Sequence, residues 1–292
     1  MTSTIKSAIQ HHPRQFGLMR YVYPVVSRRS GGVSIGINLT PDGTCQFSCV
    51  YCQVLAEAGR SYKQFNETID LQRLDDELRQ VVTVVLNGSL FADGSLFAGI
   101  DRGIRLNDFA FSGDGEPTMS PMFTAAVERA AAVRTELCSD DVRLVLITNA
   151  TRLCNADVVV GLERLTKSNG EIWAKLDAGT EHHYKYVSRS HVPFATIIKN
   201  ITETAKHFPL VIQTCLFATN NESPDKKEIE AYIKQIKGIV ANGGKILRLQ
   251  LYTVARKTPE PQVTPLDNEV LDKIAEQVRN ETGIKTEAFY SR

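Results

Sequence analysis

From residue 32 onward, short apolar runs of strand length alternate with longer stretches whose apolar residues recur at helical spacing. No other feature constrains the fold as much. The short runs are residues 33–39, 104–111, 143–148, 171–176, 210–217 and 246–251. Leu71, Leu74, Leu78, Val81, Val82 and Val85 mark the first helix. Residues 120–137, 156–165, 194–207, 224–240 and 266–282 supply the others. Six strands separated by helices predict an α/β fold with a parallel sheet built from right-handed βαβ units. Six units are too few for the closed eight-fold barrel, so the expected architecture is a partial (β/α)6 TIM-like barrel, open on one side. One domain is the economical organisation. Residues 1–31 read as a polar, irregular N-terminal arm, 32–255 as the barrel, and 256–292 as a C-terminal loop and helix packing on it.

Chemistry in such folds sits at the carboxyl ends of the strands, and unusual residues fall there. Cys45, Cys49 and Cys52 follow the first strand with the spacing C-x3-C-x2-C, and Tyr51 directly precedes the third. The run SGDGEPT, with Gly113, Gly115 and Glu116, follows the second. Thr148 and Asn149 end the third, Asp177 follows the fourth, Gln213 and Cys215 end the fifth, and Tyr252 and Arg256 follow the sixth.

Composition narrows what the thiols can be for. Six cysteines without an apolar leader segment point to a reducing cytosol, where thiols bind metals more often than they form disulfides. No apolar run approaches the roughly 18 residues that span a bilayer, so a soluble, cytoplasmic protein with no membrane partner is expected. The formal net charge of +1 gives no global field toward nucleic acid. A structural zinc site needs four ligands, and no fourth Cys or His lies near this loop; His11, His12, His182 and His183 are distant. Electron-carrying clusters normally take four cysteines. Three would hold a [4Fe-4S] cluster and leave one iron without a protein ligand, as catalytic metal sites keep a position open.

The run C-x3-C-x-aromatic-C on the loop after a first strand resembles the radical S-adenosylmethionine (SAM) superfamily, over roughly residues 32–255. That resemblance implies a [4Fe-4S] cluster on Cys45, Cys49 and Cys52 whose open iron is chelated by SAM. An electron from the reduced cluster then cleaves the sulfonium, and the 5′-deoxyadenosyl radical abstracts hydrogen from a substrate. It implies that Glu116 accepts from the methionine ammonium, with Gly113 and Gly115 allowing close backbone approach. Tyr51 would lie near the adenine, with the backbone around Gln53 on the base edge. Thr148, Asn149 and Asp177 would reach the ribose hydroxyls or the methionine carboxylate. The bland alternatives are a turn with a solvated glutamate and strand-end caps.

Gln213 is polar within an apolar run and needs a buried partner: SAM, substrate or a backbone group. Strand alternation puts Cys215 on the same side. A thiol there could return a hydrogen atom, as in some radical SAM epimerases, or simply pack. Cys138 and Cys154 read as ordinary thiols. Tyr252 and Arg256, with Lys257, could bind an anionic substrate or stand as loop charges.

Within the superfamily, SGDGEPT, the strand-end TN and WAKLDA are similar to the wyosine-base synthase group, which modifies tRNA. No cysteine precedes Cys45 for a second cluster, and the sequence has no flavodoxin-like domain or basic stripe. A small-molecule substrate is therefore the leading expectation and a tRNA base the second. A reducing partner such as flavodoxin or ferredoxin is implied. A non-catalytic, metal- or cluster-stabilised binding protein is the reading from another class.

Overall fold

Val33, Ile35 and Ile37 have no exposed surface, and every residue of their strand is buried. A strand of a parallel sheet covered on both faces has this pattern. A computed structural model describes residues 16–54, 68–95, 97–98, 100 and 104–291. The first fifteen residues of the expected arm, with His11 and His12, and part of the insert before residue 104 lie outside the described residues.

The chain divides into two compact units. The first comprises Met1–Thr44, Lys63–Ile147 and Ala156–Glu171; the second comprises Cys45–Tyr62, Thr148–Asn155 and Ile172–Arg292.

In the first unit the strand order is β1 (Val22–Ser27), β2 (Gly32–Ile37), β3 (Leu106–Phe111), β4 (Arg143–Thr148). β2, β3 and β4 are parallel, and β1 is antiparallel to β2. Three described helices accompany them: α1 (Leu71–Leu86), α2 (Phe123–Leu137) and α3 (Ala156–Lys167). Helix α1 starts where its sequence allows. Asp70 accepts from the backbone N–H groups of Gln72 and Arg73, both at 3.0 Å, which satisfies two donors of the first turn.

In the second unit the main strands run β5 (Gly170–Lys175), β6 (Leu210–Cys215), β8 (Ile246–Tyr252), β10 (Thr286–Phe289), all parallel. β7 (Phe217–Thr219) and β9 (Val263–Pro265) form a separate antiparallel ribbon. The helices are α4 (Glu181–Ser188), α5 (Phe194–His207), α6 (Lys226–Ala241) and α7 (Asn268–Thr282), the last ended by Gly283 in the left-handed region at φ 70°.

All six expected strands are present, and the structure departs from the sequence reading at several points. Residues 22–27, expected as part of an irregular arm, form the buried strand β1. Val22, Tyr23, Val25 and Val26 suit a pleated surface, and Pro24 is tolerated because the strand lies at an edge. Tyr23 lies directly across from Gly36, whose missing side chain makes room for the ring: a Cβ there would stand 2.4 Å from it. The fifth run breaks at Leu216 into β6 and β7. The C-terminal segment adds β10 after its helix. Helix α4 was not legible at all, and it matters most for the cysteines.

Candidate functional site

The last carbonyls of a helix have no partner within it. In α4 two of them are taken by the cysteine loop. Ser48 donates its backbone N–H to the Ser188 carbonyl at 2.8 Å, and Val50 to the Val187 carbonyl at 3.0 Å. Between these tethers the loop turns, with the Cys52 N–H on the Cys49 carbonyl at 2.9 Å. Val50 has no exposed surface and packs with Val187, Cys215, Phe217, Val254 and Val263. The Phe47 ring stands edge-on to Tyr184 at 5.8 Å, and Tyr184 stacks on Phe194 at 5.1 Å. Backbone bonds, one buried valine and one aromatic contact thus fix the segment that carries Cys45, Cys49 and Cys52.

The three thiols are half-buried. The Cys45 sulfur accepts from the Phe47 N–H at 3.4 Å and from the Asn149 amide at 3.6 Å. Burial pushes the Cys49 thiol well above its ordinary range. Cys52, Cys45 and Asp177 push it the same way, and Lys175 opposes them. Bare thiolates crowded together repel one another, and a bound cation reverses that balance. Among the described residues, no group of three or more His, Cys, Asp or Glu side chains is arranged to hold a metal ion.

Beside the loop lies a half-buried polar array delivered by the end of β5. Lys175 pairs with Asp177 at 2.8 Å and donates to the Tyr252 hydroxyl at 2.6 Å. Asp177 accepts from the Tyr51 hydroxyl at 2.5 Å and from the Cys215 backbone N–H at 2.7 Å. The Lys175 ammonium also faces the Tyr252 ring at 4.4 Å and the Tyr51 ring at 5.4 Å, both within cation–π range. Burial lowers the Lys175 pKa, but Asp177, Tyr252 and Cys215 outweigh it and hold the group above its usual value, as an ammonium. Tyr51, Asp177, Cys215 and Tyr252, each picked out from sequence, meet in one network. Lys175 organises it, although in sequence it stands out only as part of the WAKLDA run.

The remaining second-unit residues are placed as follows. Gln213 donates to the side chain of Gln250 on the neighbouring strand at 2.7 Å, and both are buried. Cys215 is 1% exposed within the apolar cluster around Val50. Thr148 accepts from the Ala150 N–H at 3.1 Å, and Asn149 from the Thr151 N–H at 3.0 Å, so both shape the turn after β4. Gln53 opens a helical turn, and Arg256 is half-buried in the loop after β8.

Gly113, Gly115 and Glu116 belong to the first unit. Gly113 has φ 24°, in the region that favours glycine. The Gly115 N–H donates to the Thr40 hydroxyl at 2.9 Å, and the Glu116 N–H to the Thr44 carbonyl at 2.9 Å. Asn38 and Asp114 lock the same turn by a 2.9 Å hydrogen bond. Glu116 is 2% exposed, not solvated; its carboxylate accepts from the Thr118 N–H and hydroxyl at 3.1 and 2.7 Å.

This arrangement of strands and helices is found in radical SAM enzymes. A radical SAM methyltransferase from Sphaerobacter thermophilus matches 92% of this chain and 69% of its own, with a TM-score of 0.59 at 13% identity. SuiB of Streptococcus suis, solved bound to S-adenosylmethionine, matches over 87% and 49%, with a TM-score of 0.56 at 13% identity. TYW1 with a lysine–pyruvate adduct bound matches over 97% and 83%, with a TM-score of 0.52 at 14% identity. The fold is therefore α/β, a partial TIM-like barrel of the radical SAM type.

In sequence, the chain is 23% identical over 252 residues to the protein named GTPase Obg of Brachyspira hyodysenteriae, covering 86% of this chain and 32% of that protein. It is 28% identical over 175 residues to UPF0026 protein MJ1312 of Methanocaldococcus jannaschii, covering 58% and 43%. The chain thus spans less than half the length of these curated relatives. It contains no G-x-x-x-x-G-K-S/T run, the loop that cradles nucleotide phosphates. No protein-family model matches the sequence.

Proposed function

We propose that this protein is a radical SAM enzyme that holds a [4Fe-4S] cluster on Cys45, Cys49 and Cys52. The observation that carries the reading is the three-thiol loop itself, tethered through Ser48 and Val50 to the end of α4 within a chain of radical SAM fold. The donor set fits such a group. A single zinc ion needs ligands converging on one point, whereas a cluster of several irons takes its thiolates on separate metal atoms. When bound, the cluster supplies an electron for cleavage of SAM, and the radical so released takes a hydrogen atom from the substrate.

The chain's own residues hold and shield that chemistry. Phe47 and Asn149 direct N–H groups at the Cys45 sulfur, which stabilises its thiolate form. The buried turn at Gly113 to Glu116 is assigned, by resemblance, to the amino-acid part of SAM. Tyr51 and the backbone at Gln53 are assigned to its adenine. A small-molecule substrate is favoured by the near-neutral net charge, and an electron donor of the flavodoxin or ferredoxin kind would serve the cluster. No described helix is long and apolar enough to cross a membrane.

Anaerobic reconstitution with iron, sulfide, SAM and a reductant tests the reading. The expected products are methionine and 5′-deoxyadenosine, with iron binding lost in Cys45→Ala, Cys49→Ala and Cys52→Ala. One zinc per chain and no nucleoside product would overturn it. A tRNA base is the second substrate reading, favoured by the likeness to the wyosine synthase TYW1 over nearly the whole chain. Deuterium transfer into 5′-deoxyadenosine from labelled small molecules or from labelled tRNA separates the two.

A further inference from the structure

The ion pair at the end of β5 has a use beyond stability. Lys175 and Asp177 are 11% and 9% exposed, so solvent screens their fields poorly. Both bear on Tyr51, one of the two residues between the last two cysteines. Asp177 holds the Tyr51 hydroxyl at 2.5 Å, and the Lys175 ammonium lies 5.4 Å from the centre of the same ring. Tyr51 follows Val50, whose N–H is bonded to the end of α4, so the loop cannot drift away from the pair. A redox centre on this loop gains one negative charge on reduction. A fixed cation nearby favours the reduced form, and a fixed anion disfavours it.

We propose that Lys175 and Asp177 are positioning residues that act through Tyr51 on the cysteine loop and set, with opposite signs, the reduction potential of the cluster held there. This rests on the cluster reading above. A pair that served only to hold Tyr51 in place would respond to the loss of either member in the same way. A pair that acts by charge responds in opposite ways.

The test is a redox titration, followed by electron paramagnetic resonance, of reconstituted wild type, Lys175→Met, Asp177→Asn and the double variant, after iron and sulfide content is measured. The expected midpoint potential lies below wild type in Lys175→Met, above it in Asp177→Asn, and close to it in the double variant. Shifts of the same sign, or no shift in fully loaded variants, would overturn the proposal. Asp177→Asn keeps the side-chain shape. It decides the matter alone should Lys175→Met fail to fold: an upward shift supports the proposal and an unchanged potential defeats it. A wild type that takes up no iron overturns the cluster reading and this inference together. A loaded wild type with indifferent variants overturns only the inference.

Discussion

Gly115→Ala tests whether the turn after β3 is fixed by backbone contact. A methyl group on Gly115 would stand 1.9 Å from the Thr44 carbonyl oxygen, 2.6 Å from its carbon and 2.9 Å from the Thr40 hydroxyl. The first two are main-chain atoms that no rotamer change can clear, so the turn or the strand-end segment must shift. That shift breaks the bonds from Glu116 to Thr44 and from Gly115 to Thr40, both 2.9 Å. Two hydrogen bonds at about 1 kcal/mol each, with about 1–3 kcal/mol for overpacking, give a loss of roughly 3–5 kcal/mol. Urea unfolding at matched slope measures it. Gly238→Ala in α6 is the control: nothing lies within 4 Å of the place its methyl group would take, and a helix interior prefers alanine, so a gain of roughly 0.5–1 kcal/mol is expected. A Gly115→Ala loss below about 1 kcal/mol would refute the steric argument.

Further outcomes follow from charges with little exposure. Lys175→Met leaves the Asp177 carboxylate without its cation and should cost about 3–5 kcal/mol, whereas Lys175→Met with Asp177→Asn should recover much of that; strictly additive losses in a denaturation cycle would count against the pair. Because the Lys175 pKa is raised, its contribution is full at neutral pH and fades as pH climbs past the ordinary lysine value of 10.5. In the first unit, burial pushes the Asp108 carboxyl above its ordinary 3.8, against the opposing hydroxyls of Ser30 and Ser34 and the charge of Arg143. The folded state therefore keeps that proton longer, and wild type should lose stability relative to Asp108→Asn as pH rises through 3.8. Melting temperatures of both proteins from roughly pH 3 to pH 7 check this, and a constant gap would contradict it.

The parallel core was legible because burial on both faces writes itself into the chain as continuous apolar runs, as in 143–148 and 210–215. Helix α1 was legible from Leu71 to Leu86 because its apolar residues recur at helical spacing. Helix α4 was not, since eight residues carrying two histidines and two tyrosines show no clear stripe. Strand β1 was hidden by Pro24 and the arginines around it. Sequence singled out the cysteines, Tyr51 and Asp177 one by one. It could not reveal that Asp177 bonds Tyr51 and Lys175, because pairing across 126 positions leaves no local trace. Gln213 announced its need of a partner; Gln250 became identifiable only when β6 and β8 were seen to pair.

The tether of the cysteine loop to α4 also sets when the loop can take its shape. A ribosome delivers Tyr51 126 residues before Asp177, and α4 later still. At about 5–20 residues per second, that is roughly 6 to 25 s in which three neighbouring thiols exist without their scaffold. An oxidant in that interval would meet thiols with nothing to hold them apart. The carbonyls of Val187 and Ser188 reach the loop only after that interval, and Cys215, Phe217, Val254 and Val263, which pack on Val50, are made later still.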